Sequence, residues 1–271
     1  MSTSPQQPLE KAALEKTKQE EHFLEIADNY VRSRREYIAT RMYHQYWDDR
    51  LHALIDPKFG RSARYLDPMC GAGLFLETPL ARFDEVHACD LSAKMLDYIL
   101  PEDRSQLSSC GVQDVRALPF ADNHIDIVLI RGGLHHVANF LPEVFAEIFR
   151  VLKPGGQFIF SEPIDTGLIV KIIRHLMYTK TGIFEPDDER GLTVDEVKRL
   201  SDEAGFSDLF YEPFTHAAYT VIGNTDFFYP MPWLTNKTLI NALIGFDEVS
   251  KKIPIWNQLC WIGNFSCRKP G

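Results

Sequence analysis

Short apolar runs alternate with helical segments between residues 63 and 162, and this alternation constrains the fold more than any other feature of the chain. Strands and helices in such alternation build βαβ units, whose strands run parallel within one sheet. Five apolar runs are the predicted strands: Ala63–Leu66, Glu85–Cys89, Ser109–Gln113, Ile125–Ile130 and Gly156–Glu162. Helices are predicted between them, near Gly73–Ala81, Lys94–Leu100 and Pro142–Val151. The sequence therefore predicts an α/β fold with a doubly wound, mainly parallel sheet.

The chain on the amino-terminal side of this core has a different pattern. Residues 1–20 are polar, which predicts a flexible tail. Residues 21–56 carry apolar and aromatic side chains at helical spacing, which predicts two helices that end at Asp56-Pro57. We expect these helices to belong to the same domain as the core, which would then span residues 21–271, with residues 57–163 as its centre.

Beyond Pro163 the regular alternation stops. We predict a helix near Leu168–Tyr178, and another that begins at Thr193 in a capping box with Glu196 and ends at Gly205. Two further predicted strands, Leu209–Pro213 and Cys260–Arg268, flank an insertion rich in aromatic residues. Residues 164–200 and 216–257 are therefore the predicted insertions that cap the sheet.

Composition and charge exclude several classes of protein. The chain has 271 residues with 29 basic and 38 acidic side chains, and its net charge of -9 disfavours a nucleic-acid partner. The five cysteines form no CxxC pair, which argues against a disulfide framework or a zinc site and favours a reducing, cytoplasmic location. The polar start of the chain does not resemble a signal peptide, and no apolar run approaches the roughly 18–20 residues of a membrane span.

A small-residue turn follows the first predicted strand and points to a ligand. Residues 65–73 read Tyr-Leu-Asp-Pro-Met-Cys-Gly-Ala-Gly, and such a turn lets backbone amides approach a bound group closely. A dinucleotide-binding turn would have glycine at position 76, where this chain has Leu76, and the pattern of a P-loop is missing. Asp90 ends the second predicted strand, where an acid can bind both hydroxyls of a ribose, and the alternative is that Asp90 caps the following helix.

Five motifs in one order resemble those of the class I S-adenosylmethionine-dependent methyltransferases, in the small-molecule branch with the ubiquinone and sterol methyltransferases. They are LDPMCGAG, ACDLSAKML, QDVRALPFADNHIDIVL, GLHH and VLKPGGQFIFSEP. The resemblance implies a Rossmann-like seven-stranded sheet whose last strand, near Cys260–Arg268, is antiparallel, together with an N-terminal helical lid. It also implies S-adenosyl-L-methionine as cofactor. The chain departs from the family at Met69, where glycine is usual, so the turn must accommodate a side chain.

The resemblance also implies which residues bind the cofactor. Its methionyl half would contact the turn after the first strand, the end of the fourth strand and the lid, whereas the ribose and adenine would lie beyond the second and third strands. The residues implied are Tyr30, Arg34, Asp67, Cys70, Gly71, Gly73, Asp90, Leu91, Met95, Asp114, Val115, Arg131 and Gly132. Tyr30 and Arg34 are assigned to the methionyl carboxylate, and Asp114 to the adenine.

Candidate catalytic residues follow the fourth and fifth predicted strands. His135, His136 and Glu162 lie where ligands bind in open α/β sheets, and each could act as a general base or shape the acceptor pocket. His216 in the aromatic insertion is a further candidate, with an ordinary loop position as the alternative. Adjacent histidines without an acidic or thiol partner at ligand spacing are poor metal ligands, so we predict no metal.

These observations predict methyl transfer to a hydroxyl of a small, partly hydrophobic metabolite or of a natural-product or glycan precursor. The alternatives are N- or C-methylation of a small molecule, or a cofactor-binding protein without activity. The aromatic insertion would supply an apolar acceptor pocket, with Phe228 and Trp233 as lining residues, although its aromatics could equally belong to the core.

Overall fold

The computed structural model describes residues 27–165, 167, 170, 190–223 and 234–271. The predicted tail, the predicted helix near Leu168–Tyr178 and the two proposed pocket residues Phe228 and Trp233 lie outside these residues. The seven predicted strands are all present: β1 (Arg64–Asp67), β2 (Glu85–Asp90), β3 (Ser109–Val112), β4 (Ile125–Arg131), β5 (Leu152–Pro163), β6 (Ser207–Phe214) and β7 (Ile262–Arg268).

The strands form one sheet in the order β3-β2-β1-β4-β5-β7-β6. Strands β1 to β5 pair in parallel, whereas β7 runs antiparallel to both β5 and β6. This topology confirms the Rossmann-like sheet with an antiparallel last strand. The order reverses between β1 and β4, and at such a switch point the loops beyond the two strands diverge and leave a crevice for a ligand.

The helices cover both faces of the sheet. The described chain opens in helix at residues 27–36 (α1), and the other α-helices are α2 (Ile38–His52), α3 (Glu77–Arg82), α4 (Ala93–Leu96), α5 (Pro101–Arg104), α6 (Leu141–Val151), α7 (Val194–Ala204), α8 (Lys237–Ser250) and α9 (Pro254–Asn257). A 3₁₀ segment, Leu134–Phe140, precedes α6, and a π-helical turn, Tyr219–Gly223, lies between β6 and α8.

Two of the predicted helices are shorter than expected, and backbone geometry explains both. The helix predicted from Gly73 begins at Glu77, because Gly71 and Gly73 have positive φ angles of 52° and 68° that no α-helix contains. The helix predicted over Lys94–Leu100 ends at Leu96, because the following residues bond in tighter turns, Tyr98 N–H to the Met95 carbonyl and Ile99 N–H to the Leu96 carbonyl, before the extended Leu100.

The helix predicted to begin at Thr193 forms as expected, with one difference in its cap. The Thr193 hydroxyl accepts the Glu196 N–H at 3.2 Å, and Gly205 ends the helix with φ 91°. The Glu196 carboxylate binds the Arg190 guanidinium, whereas the capping box predicted that it would turn back to the Thr193 amide. One half of the predicted capping box is therefore present.

Alternate side chains of the strands enter separate cores on the two faces. On β4, Val128 and Ile130 pack with α6 and α7, whereas Ile127 and Leu129 pack with α2. The alternation follows from the two-residue repeat of a strand and makes both faces apolar, as a sheet covered by helices requires.

Helix α1 packs against the loops at the carboxyl ends of the strands. The Arg35 guanidinium donates to the Tyr98 carbonyl at 2.6 Å, and Asp28 accepts a hydrogen bond from the Tyr98 hydroxyl. The Arg35 guanidinium also donates to the Ala72 carbonyl at 3.5 Å, so α1 lies beside the turn that follows β1, and its role as a lid stays a prediction. Within the described part of the chain, no helix combines the length and the apolar character that crossing a bilayer would take.

Candidate active site

The carboxyl edge of the sheet brings together most of the residues singled out in the sequence. The glycine turn follows β1, Asp90 ends β2, Arg131 ends β4, and Glu162 lies near the end of β5. Because β1 to β5 are parallel, these side chains and turns meet at a single edge of the molecule.

Asp90 ties the glycine turn to the loop after β2. One carboxylate oxygen accepts the Gly71 N–H at 2.8 Å, and the other accepts the Ser92 N–H at 2.9 Å. The helix that follows is capped by Ser92, whose hydroxyl accepts the Met95 N–H. The N-cap of that helix is therefore Ser92 and not Asp90, and the Asp90 carboxylate lies beside the glycine turn.

Met69 is accommodated in the turn without strain. Positive φ falls on Gly71 and Gly73, and Met69 is not among the described residues with positive φ, so its backbone tolerates a side chain. The side chain lies against Gly133 in the loop after β4, where a Cβ atom would come within 2.8 Å of the Met69 sulfur. The departure from the family pattern is compensated by a glycine on the neighbouring loop.

Asp67 is buried beneath the turn with a carboxylate that is costly to ionise. One of its oxygens accepts the Met69 N–H at 3.1 Å. Burial raises the pKa of Asp67 to about 7, and the neighbouring Asp90 and Asp48 carboxylates act in the same direction. A cationic group bound above this carboxylate would stabilise its ionised form. The adjacent Cys70 thiol is also buried, which raises its pKa.

Beyond β2 and β3 the structure exposes apolar side chains. Leu91 is 66% exposed, Val112 50% and Phe140 43%. The Asp114 carboxylate accepts hydrogen bonds from Nε and a terminal nitrogen of Arg116, and these bonds lower its pKa. The Arg116 guanidinium also stacks on Phe140, 4.5 Å from the ring centre. Exposed apolar side chains beside a stacked guanidinium suit an aromatic ring. Val112, Arg116 and Phe140 could not be singled out from the sequence, because no short motif marks them.

The side chain of Val115 does not lie in this crevice. It is 4% exposed and packs in the core with Leu118 and Cys89. Of the residues assigned to the cofactor, Val115 can therefore contribute only its backbone. Met95, by contrast, lies beside the turn, with its terminal methyl 3.6 Å from where a Cβ on Gly71 would be.

The Arg131 side chain, at the end of β4, lies against two aromatic rings. Its guanidinium lies 3.4 Å from the ring centre of Phe75 and 4.2 Å from that of Trp47. It donates to the His44 carbonyl at 3.3 Å and to the His44 ring, whose Nε2 then donates to the Gly223 carbonyl at 3.1 Å. Burial lowers the pKa of Arg131 to about 10, so the guanidinium is still charged at neutral pH.

Tyr30 and Arg34 of α1 lie within electrostatic reach of Arg131, as the resemblance implied. The Arg34 guanidinium stacks on the Tyr30 ring at 3.5 Å and donates to the Tyr30 carbonyl. The charge of Arg34 and the phenol of Tyr30 both act on the Arg131 guanidinium. Beside it, Gly132 has φ 65°, and a Cβ there would meet nothing within 4 Å, so backbone conformation and not crowding calls for glycine. The three side chains bring two guanidinium groups close to each other at the end of β4.

Glu162 is fully buried, and its carboxylate organises the loop after β4. It accepts the backbone N–H groups of Gly133 at 2.8 Å, Leu134 at 2.7 Å and His135 at 3.3 Å, and it bonds the His135 ring at Nδ1 at 2.8 Å. With four N–H donors around it, the carboxylate is turned inward and positions the loop after β4.

The Glu162 contact determines the tautomer of His135. A carboxylate surrounded by donors accepts, so Nδ1 carries a proton, and in a neutral imidazole Nε2 is then the nitrogen that can accept one. The His136 ring lies beside that of His135, with ring centres 4.0 Å apart, and His136 is exposed. Within the described residues, no group of three or more histidine, cysteine or acidic side chains is arranged to hold a metal ion.

The described part of the aromatic insertion divides between core and surface. Tyr219 packs against Tyr43 and Trp47 of α2, with ring centres 6.3 and 6.2 Å away, and the buried His216 ring bonds Ser250 at 2.7 Å. Phe246 and Trp256 are exposed. His216 is therefore part of the internal packing of the insertion and is not a candidate base.

Comparisons with known proteins agree with this geometry. The methyltransferase domain family matches residues 66–160. A demethylmenaquinone methyltransferase of Bacillus pumilus is 28% identical over 66% of this chain and 84% of its own length. A ubiquinone/menaquinone biosynthesis C-methyltransferase of Dinoroseobacter shibae is 33% identical over 44% of this chain and 49% of its own length. A malonyl-[acyl-carrier protein] O-methyltransferase of Erwinia pyrifoliae is 35% identical over 45% of this chain and 47% of its own length.

Solved structures show the same fold. The phosphoethanolamine N-methyltransferase 2 of Haemonchus contortus, in complex with S-adenosyl-L-methionine, superposes with a TM-score of 0.58 at 18% identity. The match covers 89% of this chain and 59% of that one.

Fold and sequence together define the class of this protein: it is an S-adenosylmethionine-dependent methyltransferase with the class I fold. Its sequence is similar to those of ubiquinone and menaquinone methyltransferases over 44–66% of the chain. Its residues fit the cofactor, because the carboxyl edge of the sheet carries a buried carboxylate beside a glycine turn, a second carboxylate at the end of β2 and a guanidinium at the end of β4.

Proposed function

We propose that this enzyme transfers the methyl group of S-adenosylmethionine to a hydroxyl of a small, partly hydrophobic acceptor, with His135 as the general base. The observation that carries the proposal is the hydrogen bond between His135 Nδ1 and the buried Glu162 carboxylate. This contact supports the proposal because it fixes the orientation of the ring and favours the neutral tautomer in which Nε2 can accept a proton.

The bound cofactor supplies an electrophilic methyl group on a sulfonium, which is already activated for in-line displacement. In the proposed transfer the acceptor oxygen would take the methyl group, the electron pair of the carbon–sulfur bond would stay on sulfur, and His135 Nε2 would accept the hydroxyl proton. Alignment in a dry crevice supplies part of the rate, and a positioned base contributes about 10²–10⁴-fold. The Glu162 carboxylate stabilises the imidazolium that forms.

The same proposal assigns the cofactor groups to the crevice. Asp67 would bind the methionyl ammonium, and Arg131 with Arg34 and Tyr30 would bind the methionyl carboxylate. The Asp90 carboxylate would accept the ribose hydroxyls, and the exposed apolar side chains beyond β2 and β3 would cover the adenine. Each assignment pairs a group of the cofactor with a side chain of complementary charge or polarity at the carboxyl edge.

Cofactor affinity is expected to depend on pH through Asp67. Its pKa of about 7 means that below this pH the carboxyl is protonated and must lose its proton before it can pair with an ammonium. Affinity should therefore rise with pH, by roughly tenfold between about pH 6 and about pH 8, and binding should release a proton in this range. Calorimetry in two buffers of different ionisation enthalpy measures both. Asp67→Asn should bind more weakly and lose the pH dependence, and an unchanged dependence in this variant would remove Asp67 from the ammonium site.

Methyl transfer to a ring carbon is a second candidate, favoured by the relative whose name specifies C-methylation. The same base serves it, because removal of a proton from a ring hydroxyl raises the electron density of the neighbouring carbon. The base is therefore common to both candidates, and the atom that receives the methyl group distinguishes them.

The acceptor atom can be identified with cofactor carrying a carbon-13 methyl group. The enzyme is incubated with a panel of phenols, quinols, hydroxy acids and amines, and the methylated product is isolated by mass. The carbon-13 resonance then shows whether the label is bonded to oxygen, carbon or nitrogen. We expect an oxygen-bound methyl. A carbon-bound methyl would establish the second candidate, and label retained on the cofactor with every acceptor class would contradict both.

Three sequence expectations complete the proposal. The net charge of -9 supports a small molecule over a nucleic acid as acceptor, and the absence of paired cysteine motifs supports the cytoplasm as location. The insertion between β6 and β7 would cover the acceptor as part of one domain.

A further inference from the structure

A row of large apolar side chains on α8 and α9 is turned to solvent. These side chains are Leu239, 55% exposed, Phe246, 47%, Val249, 67%, Ile253, 47%, and Trp256, 38%. We call these five residues the α8–α9 stripe. Their spacing of three, four or seven residues places Leu239, Phe246 and Val249 on one side of α8. Contiguous exposed apolar surface in a folded protein marks an interaction site.

Two rings of the stripe, one from α8 and one from α9, pack together over a buried polar network. The Phe246 and Trp256 rings meet edge to face with centres 5.8 Å apart, and both contact the buried His216 ring. Beneath them the Asp247 carboxylate accepts the Thr215 hydroxyl at 2.7 Å and the N–H groups of residues 216–218 at 3.0–3.1 Å. A buried polar network of this kind fixes the helix so that its apolar side remains outward.

The charges that accompany the stripe are positive. Lys237 and Lys252 are exposed, whereas Asp247 is buried. The Glu248 carboxylate is bound by Lys251 at 2.6 Å and by the Tyr46 hydroxyl. In a chain with a net charge of -9, an exposed lysine therefore lies at each end of α8, and neither acidic side chain of the helix is exposed.

We propose that the α8–α9 stripe docks on the surface of an anionic lipid bilayer. Phenylalanine, tryptophan and aliphatic side chains on one face, with lysines that reach the headgroups, are the composition of helices that lie in a membrane interface. A second copy of the chain fits less well, because antiparallel two-fold packing of α8 would bring the lysine ends of the two copies together. Two helical turns between Leu239 and Phe246 are also short for a coiled coil.

The position of the stripe relates it to the active site. The insertion leaves the sheet after Phe214, at the carboxyl end of β6, and returns at Ile262, at the start of the antiparallel β7. It therefore lies at the edge that carries the cofactor residues. Docking would place that edge towards the bilayer, where an apolar acceptor dissolves. The inference goes beyond the proposed function and does not depend on it, since docking is measured without methyl transfer.

The test is flotation of the whole protein with vesicles of phosphatidylcholine, alone or mixed with phosphatidylglycerol. We expect the protein to float with the mixed vesicles and to be released by salt. Phe246→Glu and Val249→Glu should each weaken binding about tenfold or more. Phe210→Glu is the matched control, because Phe210 on β6 is 46% exposed and lies outside the stripe. Val249 is the more exposed of the two test positions, so its variant keeps the test valid if Phe246→Glu lowers the melting temperature.

Three results would overturn the proposal. The first is wild-type protein that stays unbound with the mixed vesicles. The second is binding that the two stripe variants leave as strong as in Phe210→Glu. The third is a lipid-free dimer, seen by sedimentation, that both stripe variants dissociate, because a second copy would then be the partner.

Discussion

Replacing His135 by asparagine is expected to lower kcat by about 10²-fold or more while leaving the Kd for S-adenosylmethionine unchanged. The imidazole Nε2 would no longer be present to take the acceptor proton, whereas the cofactor groups around Asp67, Asp90 and Arg131 would be intact. Activity should recover in part at high pH, where the acceptor hydroxyl ionises without help. Single-turnover rates with an acceptor from the carbon-13 screen, measured across pH, test this.

His136→Asn is the matched control for this variant. His136 is the exposed neighbour of His135 and lacks the bond to Glu162, so its replacement should change kcat by less than about threefold. An effect of His135→Asn on KM alone would show that His135 lines the acceptor pocket and is not the base. Larger loss in His136→Asn than in His135→Asn would transfer the role of base to His136.

Glu162→Gln is expected to lower both stability and turnover. The glutamine amide nitrogen is a donor and would face N–H groups of Gly133, Leu134 or His135, so buried hydrogen bonds to a charged acceptor are lost. By analogy with broken buried ionic contacts, the free energy of unfolding should fall by about 3–5 kcal/mol. Denaturant unfolding measures this loss, and kcat should fall in the same variant because the His135 ring is no longer oriented.

Glu147→Gln is the control that separates the general effect of losing a loop-fixing carboxylate from the specific effect of losing the Glu162 carboxylate. Glu147 also fixes a loop, since it accepts the Leu118 N–H at 2.6 Å, but it bonds neither His135 nor the loop after β4. We expect its variant to lose stability and to keep the wild-type kcat per folded molecule. If Glu162→Gln keeps wild-type kcat and pH profile after correction for folded protein, Glu162 is a structural residue and the orientation of His135 does not require it.

The strand segments and the edge of the sheet that carries the candidate site could be predicted from the sequence. Apolar runs such as Ile125–Ile130 are buried on both faces, and their alternation with helices is a local property that survives into the fold. The turn at residues 70–73 was also readable, because glycine is the residue that adopts positive φ without strain. The same holds for Asp90, whose position at a strand end is encoded by neighbouring residues.

Tertiary structure decided the roles that depend on residues far apart in the chain. Glu162 and His135 are 27 positions apart, and only the pairing of β4 with β5 shows that the glutamate turns inward and orients the imidazole. Met69 is tolerated because Gly133, on another loop, has no side chain. Sequence patterns report the periodicity of local structure, whereas the partner of a polar group and the exposure of an apolar one, as on α8, depend on which elements pack together.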